Sequence, residues 1–133
     1  MRYFLFLLMA GLPGCATYSI QNPFNFSQFD NDRLCSGAKW VYATHNQDGV
    51  IAPYLAEVAK RRLMTESEFN SVFKRRADIG DKYCYMLATR GKPDTFNVTR
   101  LPKVEHVQWV YRGLAGNNTY IYTENDVITA IQY

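Results

Sequence analysis

Apolar and polar positions divide the chain into stretches of different period. Residues Tyr3 to Leu12 form an uncharged, almost wholly apolar run behind Arg2. As a helix it would span roughly 15 Å, about half of a hydrocarbon core, which suits an export signal better than a membrane anchor. Residues 16–29 carry no charge and no period, but they include Phe24, Phe26 and Phe29. Asp30-Asn31-Asp32 offers helix caps, and Leu34, Ala38, Val41 and Tyr42 follow at helical spacing, weakened by Gly37. Lys39 to Thr44 also reads as a short strand. His45 to Gly49 is a loop ending in Asp-Gly. Pro53 suits the first turn of a helix with Leu55, Val58, Ala59 and Leu63 on one side. Thr65-Glu66-Ser67-Glu68 forms a capping box, opening a helix with Phe69, Val72 and Phe73 buried and an end near Arg76. Asp81 to Arg90 is a third helix, with Cys84, Leu87 and Ala88 on one face, closed by Gly91. The period then changes to two: Val107, Trp109 and Tyr111; Thr119 to Thr123; and Val127, Thr129, Ile131 and Tyr133. Turns at Gly113 to Asn118 and Glu124 to Asp126 separate these runs. The expected class is α+β, N-terminal helices packed on a C-terminal three-stranded antiparallel sheet.

Leu12-Pro13-Gly14-Cys15 resembles the lipobox of bacterial lipoproteins. The resemblance implies lipid on the Cys15 thiol and a cut just before it; the alternative is an ordinary signal peptide cut elsewhere. Ala16, with no Asp at that position, favours the outer membrane by analogy. Without Arg2, fourteen basic and twelve acidic side chains remain, a balance that gives no reason to expect nucleic acid. The clusters Lys60-Arg61-Arg62 and Lys74-Arg75-Arg76 fall at expected helix ends, where cations are favoured; contact with anionic headgroups is the sharper reading. Of the three cysteines, acylation of Cys15 leaves Cys35 and Cys84 as an even pair in an oxidising compartment. A disulfide follows, against the alternative of two buried thiols.

Ile79-Gly80, the short helix after it, Gly91-Lys92-Pro93-Asp94, Gln108-Trp109-Val110-Tyr111, Tyr120-Ile121-Tyr122 and Val127-Ile128-Thr129-Ala130-Ile131 together resemble the SmpA/OmlA (BamE-like) lipoproteins. The resemblance covers residues 78–133, with looser support from Arg61-Arg62-Leu63 onward. It implies a periplasm-facing, lipid-anchored protein with two helices on a three-stranded antiparallel sheet, and a role in assisting insertion of outer-membrane barrels. Lys82 stands where the family usually has a small polar cap, and residues 30–63, with Cys35, are extra. The expected organisation is a signal peptide at 1–14, a flexible tether at 15–29, an N-terminal helical extension at 30–63 and a BamE-like domain at 64–133.

Chemistry-bearing motifs are sparse. His45 and His106 are the only histidines, and no pair among Cys35, Cys84, His45 and His106 has zinc-ligand spacing. No Ser or Cys lies in a nucleophile motif, and no glycine-rich loop precedes a helix. Asp78 and Asp81 suit helix capping. The reading is no enzyme, no cofactor and no metal. Ten tyrosines are present, and Tyr111, Tyr120, Tyr122 and Tyr133 offer an aromatic contact surface, unless each simply covers the core. The expectation is an adaptor or structural lipoprotein of the outer envelope, facing the periplasm. It would be held on the outer membrane by its N-terminal lipid, bind a protein partner, and serve outer-membrane protein assembly or envelope integrity. The alternative is a small inhibitor of a hydrolase or phage component, presenting Leu101 to Glu105 or Gly113 to Asn118.

Overall fold

The computed structural model describes residues 24–44 and 49–133. The signal-peptide reading, Cys15, most of the tether and His45 lie outside them.

The helical layer starts at Asp30, whose carboxylate accepts the Arg33 N–H at 2.7 Å and caps α1 (Asn31–Ser36). Gly37 then divides the expected stripe into α1 and α2 (Ala38–Ala43). A Cβ at Gly37 would sit 3.0 Å from the Arg33 carbonyl, so a larger residue would crowd this junction. Leu34, Ala38 and Val41 are buried as expected, and the strand alternative for Lys39 to Thr44 falls to the helix.

In α3 (Ile51–Lys60) the buried pair is Tyr54 and Val58. The expected stripe turns by one position, leaving Ala59 exposed. Tyr54 explains this. Its ring is 1 % exposed and its hydroxyl donates to the Leu34 carbonyl at 2.9 Å, so the phenol is satisfied inside the core. Burial pushes its pKa well up.

The capping box forms on α4 (Glu66–Phe69): Thr65 Oγ1 accepts the Glu68 N–H, and the Glu68 carboxylate accepts the Thr65 N–H at 2.7 Å. The helix does not run on to Arg76. Ser71 Oγ donates to the Glu68 carbonyl at 2.8 Å, and the chain continues in tight turns such as Lys74 N–H to Ser71 O. A side chain competing for backbone acceptors ends the helix here. Phe69 and Val72 stay buried, but Phe73 turns outward and is 59 % exposed.

The last helix, α5 (Tyr83–Arg90), starts two residues later than expected, because the residues before it pair with the sheet. Every residue from Cys84 to Thr89 is buried. Gly91 follows at φ 82° and ψ −168°, a positive φ that favours glycine as the sequence predicts, with an extended ψ in place of the left-handed helical one. Cys84 is disulfide-bonded to Cys35 with Cα atoms 4.9 Å apart, and neither residue is exposed.

The sheet has four strands and not three: β1 (Thr95–Leu101), β2 (Val104–Tyr111), β3 (Thr119–Glu124) and β4 (Val127–Gln132), an antiparallel meander in chain order. The added strand pairs with β2 from Thr95 opposite Val110 to Leu101 opposite Val104, through a two-residue turn at Pro102-Lys103. The register shifts at Tyr122/Thr123, so Ile128 and Ile131 both face Ile121's side and the expected Val127–Thr129–Ile131 alternation is broken by a bulge. Asn125 and Asp126 both have positive φ, the geometry that matches a two-residue turn to the twist of the strands.

One buried cluster runs from Phe26 to Ile128, so residues 30–63 share a core with the segment behind them. The phenylalanines before Asp30 dock on this core. Phe26 is 5 % exposed with its ring 5.5 Å from Tyr54. Arg61 fastens them: it donates to the carbonyls of Phe26, Ser27 and Phe29 and to Asn31 Oδ1, while Glu57 holds its Nε at 2.7 Å. No described helix is long and apolar enough to cross a membrane.

Acid sensitivity centres on Asp81, which binds Arg75 through both oxygens at 2.6 and 3.0 Å and accepts the Asp78 N–H at 2.8 Å. The Arg75 guanidinium holds this carboxyl below the usual 3.8. Its stabilising contribution is complete above the unfolded value and lost as pH falls through the folded one. Burial raises Asp32 and Asp126, whose contributions run the opposite way. Asp81→Asn should therefore flatten the fall in stability below pH 3.8, read as urea midpoints against pH; an unchanged slope would discount the Arg75–Asp81 pair.

Candidate functional site

The helices cover β2, β3 and β4, and leave β1 bare. On the helix-facing side of the sheet, Val107, Trp109, Ile121, Thr123 and Ile128 are all buried. Every residue of β1 is exposed. By register Phe96 lies opposite Trp109 and Val98 opposite Val107, so both point to the helix side. They are 54 % and 38 % exposed.

The two long edges of the sheet differ accordingly. Along β4 the segment before α5 is fastened on: Gly80 N–H donates to Ile128 O, Ile128 N–H to Asp81 O and Tyr83 N–H to Asp126 O, at 2.8 to 2.9 Å. Lys82 pairs with Val127 there. Along β1 no described residue adds backbone hydrogen bonds beyond those to β2. A bare strand edge beside exposed apolar side chains is a template for another extended chain.

Between β1 and the helices lies a cleft of about 490 Å³, lined by Asp32, Leu87, Lys92, Pro93, Asp94, Phe96 and Trp109 among others. Two of its lining rings meet, Trp109 tilting against Phe96 at 5.5 Å, and Trp109 also stacks on Tyr83, outside the lining, at 6.0 Å and 9°. Trp109 Nε1 donates to Thr123 Oγ1 at 3.0 Å, which fixes the indole from below. Burial, helped by Asp30 and Asp126, pushes the Asp32 carboxyl up, while Lys92 pulls it down. Tyr83 is pushed up to about 12 by burial and by the charges of Asp32 and Asp126. The cleft therefore offers an apolar aromatic surface rimmed by two carboxylates and one ammonium. It suits binding of a mixed apolar and polar segment.

No family model, no curated protein and no solved structure matches the chain. The site is accordingly read from its own chemistry.

The four tyrosines do not share one surface. Tyr120 and Tyr122 alternate with inward Ile121 and lie half-exposed on the outer face of the sheet. Tyr122 belongs to a polar ladder there: Asn97 Nδ2 donates to Gln108 Oε1, Gln108 Nε2 to the Tyr122 hydroxyl, and that hydroxyl to Gln132 Oε1, at 2.9 to 3.3 Å. Tyr111 shares the parity of Trp109 and packs against the core, its hydroxyl donating to the Gly91 carbonyl at 3.0 Å. Tyr133 is 83 % exposed after β4. Cys35 and Cys84 are brought together, and their sulfurs are occupied by each other. His106 Nδ1 sits 3.3 Å from Glu124 on the outer face. Among the described residues no three His, Cys, Asp or Glu gather as a metal site.

Of the two candidate loops, Leu101 to Glu105 is a tight hairpin end within paired strands. Gly113 to Asn118 is a true protrusion, with Leu114 94 % exposed and Ala115 at positive φ. Phe96, Val98 and Asp32 were missed as site residues. The available signal was the alternation Phe96, Val98 directly behind Pro93-Asp94, a strand pattern that is apolar on one side only.

Proposed function

We propose that this chain is a lipid-anchored, periplasm-facing adaptor of the outer envelope, a binding protein and not an enzyme, which holds a protein partner along the edge of its sheet. The observation that carries the reading is β1: seven exposed residues with an unshielded edge, Phe96 lining an aromatic cleft and Val98 further along the same face. Supporting it, the Cys35–Cys84 disulfide fits an oxidising compartment, and the order α5, β2, β3, β4 follows the segment that resembles the SmpA/OmlA lipoproteins. In this reading Cys15 carries the lipid, the partner belongs to envelope integrity or outer-membrane protein assembly, and β1 is an addition to the three-stranded sheet that the resemblance implies.

The test is recovery of partners from solubilised envelopes with wild type and with Val98→Lys, a change at an exposed position that should leave the melting temperature within about 2 °C. Loss of a membrane complex on Val98→Lys is the expected result; equal recovery would remove the edge from the mechanism. The anchor has its own control. Should Cys15→Ser remain fully processed and membrane-bound, lipid at Cys15 is wrong.

One observation favours a second reading, an inhibitor that inserts Leu114 into a hydrolase or phage component: this side chain stands almost wholly in water on a tight turn. Capture of a soluble enzyme that is abolished by Leu114→Asp and unaffected by Val98→Lys would favour it.

A further inference from the structure

We infer that the domain makes a second contact with the bilayer, through an aromatic and basic face formed by Phe24, α2 and the turns after α4, and that this face rests on an anionic lipid surface. The inference depends on the anchor reading above, and it uses residues that the partner edge does not.

The described chain begins on this face. Phe24 lies nine residues after Cys15, a span of at most about 32 Å even when fully extended. Its ring meets Trp40 edge-on at 5.1 Å. A lipid at Cys15 would thus keep Phe24 and Trp40 within one short leash of the headgroups. Arg61 restrains the turn behind Phe24, so the folded part cannot be paid out further as slack without breaking those bonds.

Trp40 and Phe73 are large rings that stand 53 % and 59 % exposed. Lys39 links them: it precedes Trp40 on α2, and its ammonium lies 5.5 Å from the Phe73 ring while donating to the Thr89 carbonyl at 2.7 Å. A groove of about 230 Å³ beside Trp40 is lined by Phe24, Phe26, Phe29 and Arg33 among others, and the hollow beside Phe73 by Lys39, Lys74, Arg75 and Arg76 among others. Neither lining contains a carboxylate. Arg75 is held by Asp81, which leaves Arg33, Lys39, Lys74 and Arg76 as the cations of the face. An indole with its polar N–H beside phenylalanine rings, flanked by Lys and Arg, matches the headgroup layer: rings enter at its depth and cations remain at the anionic surface. A protein partner of ordinary composition would meet this face with no acidic complement fixed in advance. A bilayer carrying anionic lipid supplies that complement wherever the tether sets the domain down.

The chain holds two tryptophans, and Trp109 is buried, so Trp40 fluorescence is separable by subtracting the Trp40→Phe variant. The full lipid-modified protein would be reconstituted in phosphatidylcholine vesicles with and without about a third of phosphatidylserine. Lipids brominated near the headgroup serve as quenchers. The expected result is loss of more than about half of the Trp40 signal in anionic vesicles, falling several-fold when Lys39→Glu and Lys74→Glu are combined. Vesicle flotation of the same samples separates the two levels. A protein that floats while its Trp40 remains quenchable only from water overturns the inference and leaves the anchor standing. A protein that does not float removes both. Protection of Trp40 in whole envelopes but in neither vesicle type would assign the face to a protein, and would also overturn the inference.

Discussion

Replacing Cys35 and Cys84 together by alanine is expected to lower the melting temperature by roughly 10–20 °C. The two sulfurs close a loop across a separation of 49 residues. In the chain-entropy model that loop is worth about 4 kcal/mol, and measured losses for small domains run from about 2 to 5. Such a figure is a large part of the stability of a domain with one modest core. The location adds to it. Both cysteines are fully buried, and the bond joins α1 to α5, the helix on which it packs. Thermal unfolding followed by circular dichroism, on the variant and on wild type with reductant, provides the measurement. A shift below about 3 °C would mean that α1 is held on α5 by packing alone.

The second large effect belongs to Trp109. Its ring joins the core to the cleft, being 8 % exposed, stacked on Tyr83 and tilted on Phe96. Trp109→Ala should cost about 3–5 kcal/mol, the usual range when a large buried ring is removed. The cost includes the Thr123 hydroxyl, which is 2 % exposed and loses the indole N–H it accepts. Trp109→Phe separates the two contributions, since it keeps most of the ring and loses the hydrogen bond, for about 1–2 kcal/mol. Urea unfolding should show both as falls in midpoint with an unchanged slope. A Trp109→Ala protein within about 1 kcal/mol of wild type would show that the cleft closes over the lost ring, and that the indole is not what positions Phe96.

Local signals in the chain were the legible ones. The Thr65–Glu68 box, the closure of a helix at Gly91 and the even cysteine pair are each decided by a few neighbouring residues or by a count, and the fold carries all three. β1 was not legible in the same way. Among the described residues its only strand partner is β2, and Phe96 and Val98 lack the burial that makes alternation easy to recognise. The late start of α5 has a similar cause: the pairing that takes Gly80 to Lys82 away from the helix comes from β4, more than forty residues later. The Ile128–Ile131 side of β4 was misjudged by parity, because a bulge makes two neighbouring positions exchange faces. The cleft depends on four separate places in the chain, Asp32, Leu87, Lys92 to Phe96 and Trp109, that only the tertiary arrangement brings together. Tyr111 and the pair Tyr120, Tyr122 carry opposite parity relative to the buried Trp109 and Ile121, so their separation onto two faces follows once the inner face is known.

The disulfide also sets the path of mechanical load. A pull on the N-terminal end reaches Phe26 to Phe29, passes into α1, and crosses at Cys35–Cys84 directly to α5 and the sheet behind it. Residues 36–83, with α2, α3 and α4, lie within the bridged loop and bear no tension along the chain. Force applied at a membrane attachment would therefore strip the Arg61 contacts first and then stop at a covalent link. The helices inside the loop could open and reclose under that force while the strand edge of β1 stays where it was.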